Sequence, residues 1–439
     1  MPAESRPPAV SSEGLVRGIG LAGLTASVVN STIGAGIFVL PAAVAGRIGA
    51  AAPLAFLLCF LTMALVVLCF ALAGSRVSRS GGTYGYVGEA FGRFPGFLAG
   101  VLYWLSDALA NAGVAAALAA SAGVLVPAFR GGPARAALIV AVFGTLALVN
   151  VRGVTAGITL VQAMTAAKLL PLALLVAAGL LAVSPANLAW PGLPTAGTLG
   201  GTVLLLIFAF VGVEVALSPS GEVRDPARTV PRAVLLALVL TTLLYAALQL
   251  VAQGVLGAGL AAFPDAPLAA VAARLFGRAG EALLIVGASV SMFGYLTGSI
   301  LGTPRILFAF GRDGILPAAF GSVHPRFRTP WIAIGAHTAF VATLAIAGRF
   351  ERLALMSNVA VLSLYFLCAV AAFRLVAADV RREGEPFRIP GERVVPVLAC
   401  VAIAWVLSSA TAEEVQVTAA VVAAASALYG LRTLRRRET

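Results

Sequence analysis

Residues 28–41 read VVNSTIGAGIFVLP. The polar run Asn30, Ser31, Thr32 and the small run Gly34, Ala35, Gly36 interrupt an otherwise apolar stretch. In a bilayer each unsatisfied backbone group costs several kcal/mol, so a broken helix persists only where it lines a cavity or is buried in protein. A break exposes N–H groups at the start of one half-helix and C=O groups at the end of the other. The N–H end attracts a carboxylate and the C=O end accepts from an ammonium; together they suit the backbone shared by all α-amino acids. A plainer reading is a helix crossing, at which Gly34, Ala35 and Gly36 let two backbones approach. A second Gly-containing interruption, IFAFVGVE at 207–214, favours the first reading. Paired breaks at corresponding places in two halves of a chain point to a midplane binding site in a secondary transporter.

Working outward, the chain has 439 residues, 60% hydrophobic and 11% charged. Soluble chains carry about 25% charged residues, so this composition is that of a polytopic membrane protein. A span needs roughly 20 apolar residues. Twelve helices are predicted near 17–46, 51–73, 94–127, 134–150, 157–182, 198–219, 233–256, 279–310, 331–348, 354–375, 394–410 and 415–431. The two interruptions fall in the first and sixth, five helices apart, so the second repeat is inverted. The expected fold is an all-α integral membrane protein of 12 transmembrane helices: two inverted five-helix repeats, broken in helices one and six, plus two C-terminal helices. The divisions are a disordered cytoplasmic N-terminus at 1–14, a first repeat at 15–182, a second at 198–375, two further helices at 394–431 and a basic cytoplasmic tail at 432–439. The first apolar stretch exceeds the ~7 to 15 residues of a signal h-region, and is read as a span.

The net charge of +12 is distributed in a way that argues against nucleic acid. With the N-terminus inside, outer loops hold Arg47, Arg130, Arg135, Arg274, Arg278, Arg349 and Arg352, 7 of the 29 arginines, and the other 22 fall in inner segments. That is the positive-inside asymmetry, and both termini are expected to be cytoplasmic. Near-complete use of arginine over lysine fits a GC-rich bacterial genome, hence a multi-pass protein of the cytoplasmic (inner) membrane. RDPARTVPRA at 224–233 reads either as a cytoplasmic hinge touching membrane lipid headgroups or as a proline-stiffened loop obeying the same rule. Cys59, Cys69, Cys368 and Cys400 lie in apolar helices without paired spacing and read as packing residues. His324 and His337 form no metal or catalytic constellation, so no cofactor and no enzyme is expected.

A few residues are too costly for a membrane to hold idly. Lys168 is the one lysine of the chain, near the middle of the fifth helix in VQAMTAAKLLPLALLV. A lysine there costs about 3 kcal/mol, and apolar or small residues on its cytoplasmic side argue against snorkelling. Burial favours the neutral amine, which suits a group that exchanges a proton. Asp107 in YWLSDALAN could pair with Lys168, hold a substrate cation or be satisfied by water; Asn111 follows one turn later on the same face. Glu214 follows the second break, with a role in the pathway or in the unwound segment. Of the flanking aromatics, Phe210 reads as packing and Phe208 as a lid over substrate.

Five stretches carry a resemblance: TIGAGIFVLP at 32–41, SGGTYGYVGEAFG at 80–92, FAFVGVE at 208–214, GEVRDPARTVPRA at 221–233 and GRDGILPAAFGSVHPRFRTP at 311–330. In this order the chain resembles the amino acid–polyamine–organocation transporter superfamily over nearly its whole length. The resemblance implies the fold described above and an amino acid as substrate. It places carboxylate-binding amides at Ala35 and Gly36, with Gly34 shaping the turn, and ammonium-binding carbonyls near Thr32, Phe208 and Val211. Ile33 and Ala209 stand beside them. Phe208 matches the aromatic that closes over substrate in arginine/agmatine antiporters, where Asp107 and Asn111 match positions near the substrate side chain. Lys168 matches the helix-five lysine of proton-coupled members, which those antiporters lack. A helix-eight aromatic of the antiporters is replaced here by a small residue near Ser299.

The reading that follows is proton-coupled amino acid uptake by alternating access. Substrate caps the broken ends, Phe208 closes over it, and the charge of Lys168 governs how helix five holds the bundle of helices one and eight. A coupling ion does work only by binding the two conformations differently. The alternatives are an exchanger of cationic amino acids or their amines, with Asp107 holding the cargo's charge, and, more remotely, a receptor that binds without transporting. The particular amino acid and the oligomeric state stay open.

Overall fold

The computed structural model describes residues 20–77, 82–152, 158–190, 192–213, 223, 226–381 and 386–438. Among them every regular element of more than an isolated bridge is helical: α1 (Leu21–Thr32), α2 (Gly36–Ile48), α3 (Ala52–Gly74), α4 (Gly82–Phe91), α5 (Arg93–Leu125), α6 (Gly132–Arg152), α7 (Ile158–Leu180), α8 (Ala196–Phe210), α9 (Pro226–Leu256), α10 (Pro267–Gly302), α11 (Pro304–Arg312), α12 (Trp331–Ala347), α13 (Phe350–Ala377), α14 (Val394–Leu407) and α15 (Ala412–Glu438), with short 3₁₀ turns between some of them. Among the described residues, seven helical segments are long and apolar enough to cross a membrane, and four shorter apolar helices accompany them. Glu214, the N-terminal 1–14 and most of the 214–225 stretch lie outside the described residues.

The break expected in the first helix is present, at Ile33 to Ala35 between α1 and α2, and two other features depart from the expected helices for local reasons. The eighth begins earlier, at Pro267, bends at Gly277 (φ 67°) and stops at Gly302, after which Pro304 opens α11. Gly277 adopts a left-handed conformation that interrupts the helix, while proline without an N–H is tolerated in a first turn. Helix α4 is not among the expected elements, because GTYGYVGEAF is rich in glycine and short of apolar periodicity. Tertiary packing stabilises it: Tyr86 and Val87 are buried, and the Arg374 guanidinium sits 5.0 Å over the Phe91 ring.

The centre is formed by α5 and α13 running along each other, with long buried stretches in both. Ser357 Oγ donates to the Ser106 carbonyl at 2.8 Å, and Asn358 Nδ2 donates to Leu204 O at 2.7 Å, so α13 is fastened to α5 on one side and α8 on the other. At the periphery, Val394, Val397, Leu398 and Val401 of α14 are exposed. This i, i+3, i+4, i+7 stripe is what a lipid-facing helix presents. α15 starts on a reciprocal capping box, Thr411 N to Glu414 Oε2 at 2.9 Å and Glu414 N to Thr411 Oγ1 at 3.4 Å.

Candidate functional site

At the first interruption the α1 ladder closes with Ile33 N on Val29 O at 3.0 Å and Gly34 N on Thr32 O at 2.9 Å. The chain then turns, and α2 begins. Carbonyls at the end of α1 keep acceptor capacity, and three side chains meet them. Lys168 Nζ from α7 donates to Asn30 O at 2.9 Å and Ile33 O at 3.1 Å. Ser291 Oγ from α10 donates to Ile33 O at 3.1 Å, and Tyr245 OH from α9 to Thr32 O at 3.2 Å. Lys168 is only 5% exposed and pairs with no carboxylate among the described residues. Its charge instead faces the negative end of the α1 dipole. The Ile33 carbonyl is thereby the point where α1, α7 and α10 meet.

The opposite face of the break belongs to α2. The N–H groups of Ala35 and Gly36 have no acceptor among the described residues, as the first turn of a helix dictates. Both residues line a small cavity together with Thr32, Gly34, Phe208, Val211, Ala110, Val114 and Tyr295. The second interruption abuts the first. α8 ends at Phe210, Val211 is extended (ψ 140°) and Gly212 takes φ 110°. A Cβ on Gly36 would stand 2.8 Å from Ala209 Cα, and one on Gly212 2.9 Å from Ser31 O. Glycine is required at both places, once for backbone approach and once for conformation. The positive end of α2 and the negative ends of α1 and α8 thus converge on one pocket.

The pocket holds about 10 Å³, room for one water. Beyond it lies a second cavity of about 1100 Å³, lined among others by Val39, Leu40, Arg130, Arg135, Asp265, Phe350 and Glu351. The wall between the two is a ring pair: Phe208 borders the small pocket, Phe350 the large cavity, and their centroids are 5.1 Å apart at 87°. Glu351, the next residue, accepts from Arg47 Nη2 of α2 at 2.6 Å, while Arg47 Nη1 donates to Gly201 O of α8 at 2.9 Å.

Asp107, Asn111 and Ser299 are brought together, but with one another. Asp107 Oδ2 accepts from Asn111 Nδ2 at 2.7 Å, from Ser299 Oγ at 2.6 Å and from the Thr303 hydroxyl. None of the three lines the small pocket, nor do Ile33 and Ala209, which act through a carbonyl and a backbone contact. Lys168 and Asp107 hold different partners. An aromatic ring from α10 does reach the pocket, from Tyr295, one turn before Ser299. Tyr295, Ala110, Val114, Ser291 and Tyr245 were not singled out by sequence. The available signal was helical spacing: Ser291, Tyr295 and Ser299 recur every four residues, as do Asp107 with Asn111 and Ala110 with Val114.

Comparison with known proteins places this geometry in context. The family profile described as "Amino acid permease" matches residues 19–427. The serine/threonine exchanger SteT of Bacillus subtilis is 28% identical over 415 residues, covering 90% of this chain and 91% of its own length. An uncharacterized transporter of Mycobacterium tuberculosis is 35% identical over 449 residues, covering 97% and 94%. The branched-chain amino acid permease BcaP of Bacillus subtilis is 27% identical over 408 residues, covering 88% and 86%.

Proposed function

The chain belongs to the amino acid permease family, and from that premise we propose that it takes up an amino acid across the cytoplasmic membrane by alternating access, coupled to protons through Lys168. Membership makes it a transporter and not an enzyme. The observation that carries the finer reading is the contact between the two interruptions, with the amides of Ala35 and Gly36 turned to a pocket and Lys168 bonded to the reverse side of the same break.

In this reading the chain spans the membrane twelve times, as two inverted five-helix repeats plus α14 and α15, with both termini cytoplasmic. The cavity bordered by Phe350 opens outward. Substrate carboxylate meets the Ala35 and Gly36 amides, and its ammonium meets the carbonyl ends of α1 and α8. Phe208 swings aside to admit it, since the closed pocket holds no more than a water. With its proton, Lys168 keeps α7 on the carbonyls of Asn30 and Ile33; without it, this hold weakens and α1 can part from α7 toward the inside. Glu214, which follows the second break in the sequence, is proposed to serve that inward path.

The test is uptake of a radiolabelled amino-acid panel into proteoliposomes, with and without an inward proton gradient, for wild type and Lys168→Ala. Wild-type uptake should rise with the gradient and the variant should lose that rise. A variant that keeps the rise removes Lys168 from the coupling. Exchange is the second reading, and the likeness to the serine/threonine exchanger SteT favours it; it predicts flux only with counter-substrate inside, and no response to the gradient.

A further inference from the structure

We propose that the cargo is a neutral amino acid with a small apolar side chain, and that this protein turns away cationic amino acids by charge. The inference rests on the transport reading above and deepens it. Once the substrate's carboxylate and ammonium occupy the broken ends, the walls left for its side chain are Ala110 and Val114 of α5 and the ring of Tyr295. Ala110 and Val114 are one turn apart on one face, both nearly fully buried, and present only methyl groups. Among the described residues, no acidic or basic side chain lines this pocket.

Asp107 is the carboxylate of α5 on which a cationic cargo would have to depend. It stands one turn away, outside the pocket lining, with Asn111, Ser299 and Thr303 all donating to its Oδ2. A side-chain ammonium in the pocket would be an unpaired buried charge. The route in has the same sign. Arg130, Arg135 and Arg349 line the large cavity against Asp265 and Glu351, and Glu351 is held by Arg47. Positive potential over an entrance lowers the local concentration of cations and raises that of carboxylates. An acidic side chain would pass the entrance, but it finds no cationic group in the pocket to pair with, because Lys168 is engaged with carbonyls behind the break. Charge therefore excludes both ionic classes, and the small volume of the pocket, about 10 Å³, favours short side chains.

The experiment is competition against radiolabelled alanine uptake in proteoliposomes of the full-length protein. Norleucine and ornithine have side chains of nearly equal shape and differ in terminal charge, so they separate charge from size. Valine should compete best, and norleucine should outcompete ornithine by about tenfold or more; glutamate should resemble ornithine. Val114→Asp supplies the missing carboxylate and should shift the preference toward ornithine. Labelled ornithine entering through the wild type while alanine does not would overturn this inference and leave the transport reading standing. If no member of a full amino-acid panel enters vesicles that contain folded protein, both fall. The wild-type comparison decides the matter even if the aspartate variant fails to fold.

Discussion

At Lys168 a buried ammonium is held by two main-chain carbonyls, Asn30 and Ile33, where an ion pair would be the ordinary solution. Removing the side chain takes a donor from both. A buried acceptor left unmet costs about 1–3 kcal/mol, although Ser291 still serves Ile33. Lys168→Ala is therefore expected to lower the thermal stability of the detergent-solubilised protein by an amount in this range, read from the midpoint of unfolding, in addition to its effect on coupling. Gly36 makes the opposite kind of prediction. A methyl group there meets Ala209 Cα at 2.8 Å, backbone against backbone, and neither side can yield by a rotamer change. Gly36→Ala should force the two interruptions apart, costing about 1–3 kcal/mol, and should weaken substrate binding by isothermal titration more than the same change at Gly430, whose added Cβ meets nothing within 4 Å.

Among elements, the first turn of α13 stands out, because consecutive residues touch both half-helices at the pocket. Phe350 meets Phe208 of α8, and Glu351 meets Arg47 of α2. The end of α12 just before it is held by Arg135, which donates to the carbonyls of Ala345, Ile346 and Gly348. In the proposed cycle the α12–α13 corner is the seat against which Phe208 closes. An edge-to-face ring pair contributes about 0.5–1.5 kcal/mol, so Phe350→Ala should raise the KM of uptake about two- to tenfold while leaving kcat nearly unchanged. An unchanged KM in that variant would mean that Phe208 closes without this support.

For the molecule as a whole, Arg76 just after α3 is the largest fully buried side chain among the described residues, at 1% exposure. It donates to Leu72 O and Phe387 O and pairs with Glu392 Oε2 at 3.1 Å, so the segment before α14 is tied to the end of α3. Glu392 retains contact with water and Arg76 does not. Removing Glu392 strands a buried charge, at a cost of about 3 kcal/mol, whereas Arg76→Met removes that charge. Glu392→Ala should thus destabilise more than Arg76→Met, and the double variant should resemble Arg76→Met, by the same unfolding measurement.

The same scale shows which parts of the protein were legible in its sequence. The broken helix could be read because its signal is local, small and polar residues where hydrocarbon demands apolar ones. Lys168 could be read because a lone ammonium in such a helix is expensive. The pocket walls could not, since Ala110, Val114 and Tyr295 are ordinary helix residues that matter only through what faces them. Nor could the bonding of Asp107 Oδ2, which depends on Ser299 and Thr303 arriving from far along the chain. Helix α4 was hidden by its glycines, and the early start of α10 by Arg274, Arg278 and Glu281 around the Gly277 bend.

The central claim, that one break serves substrate on one face and a proton-bearing lysine on the other, is tested most directly by proton movement itself. Proteoliposomes loaded with a pH-sensitive dye are given an unlabelled amino acid that the wild type takes up. Internal acidification accompanying uptake by the wild type, and absent with Lys168→Ala, is the predicted result. Substrate entry by the wild type with no change in internal pH would contradict it.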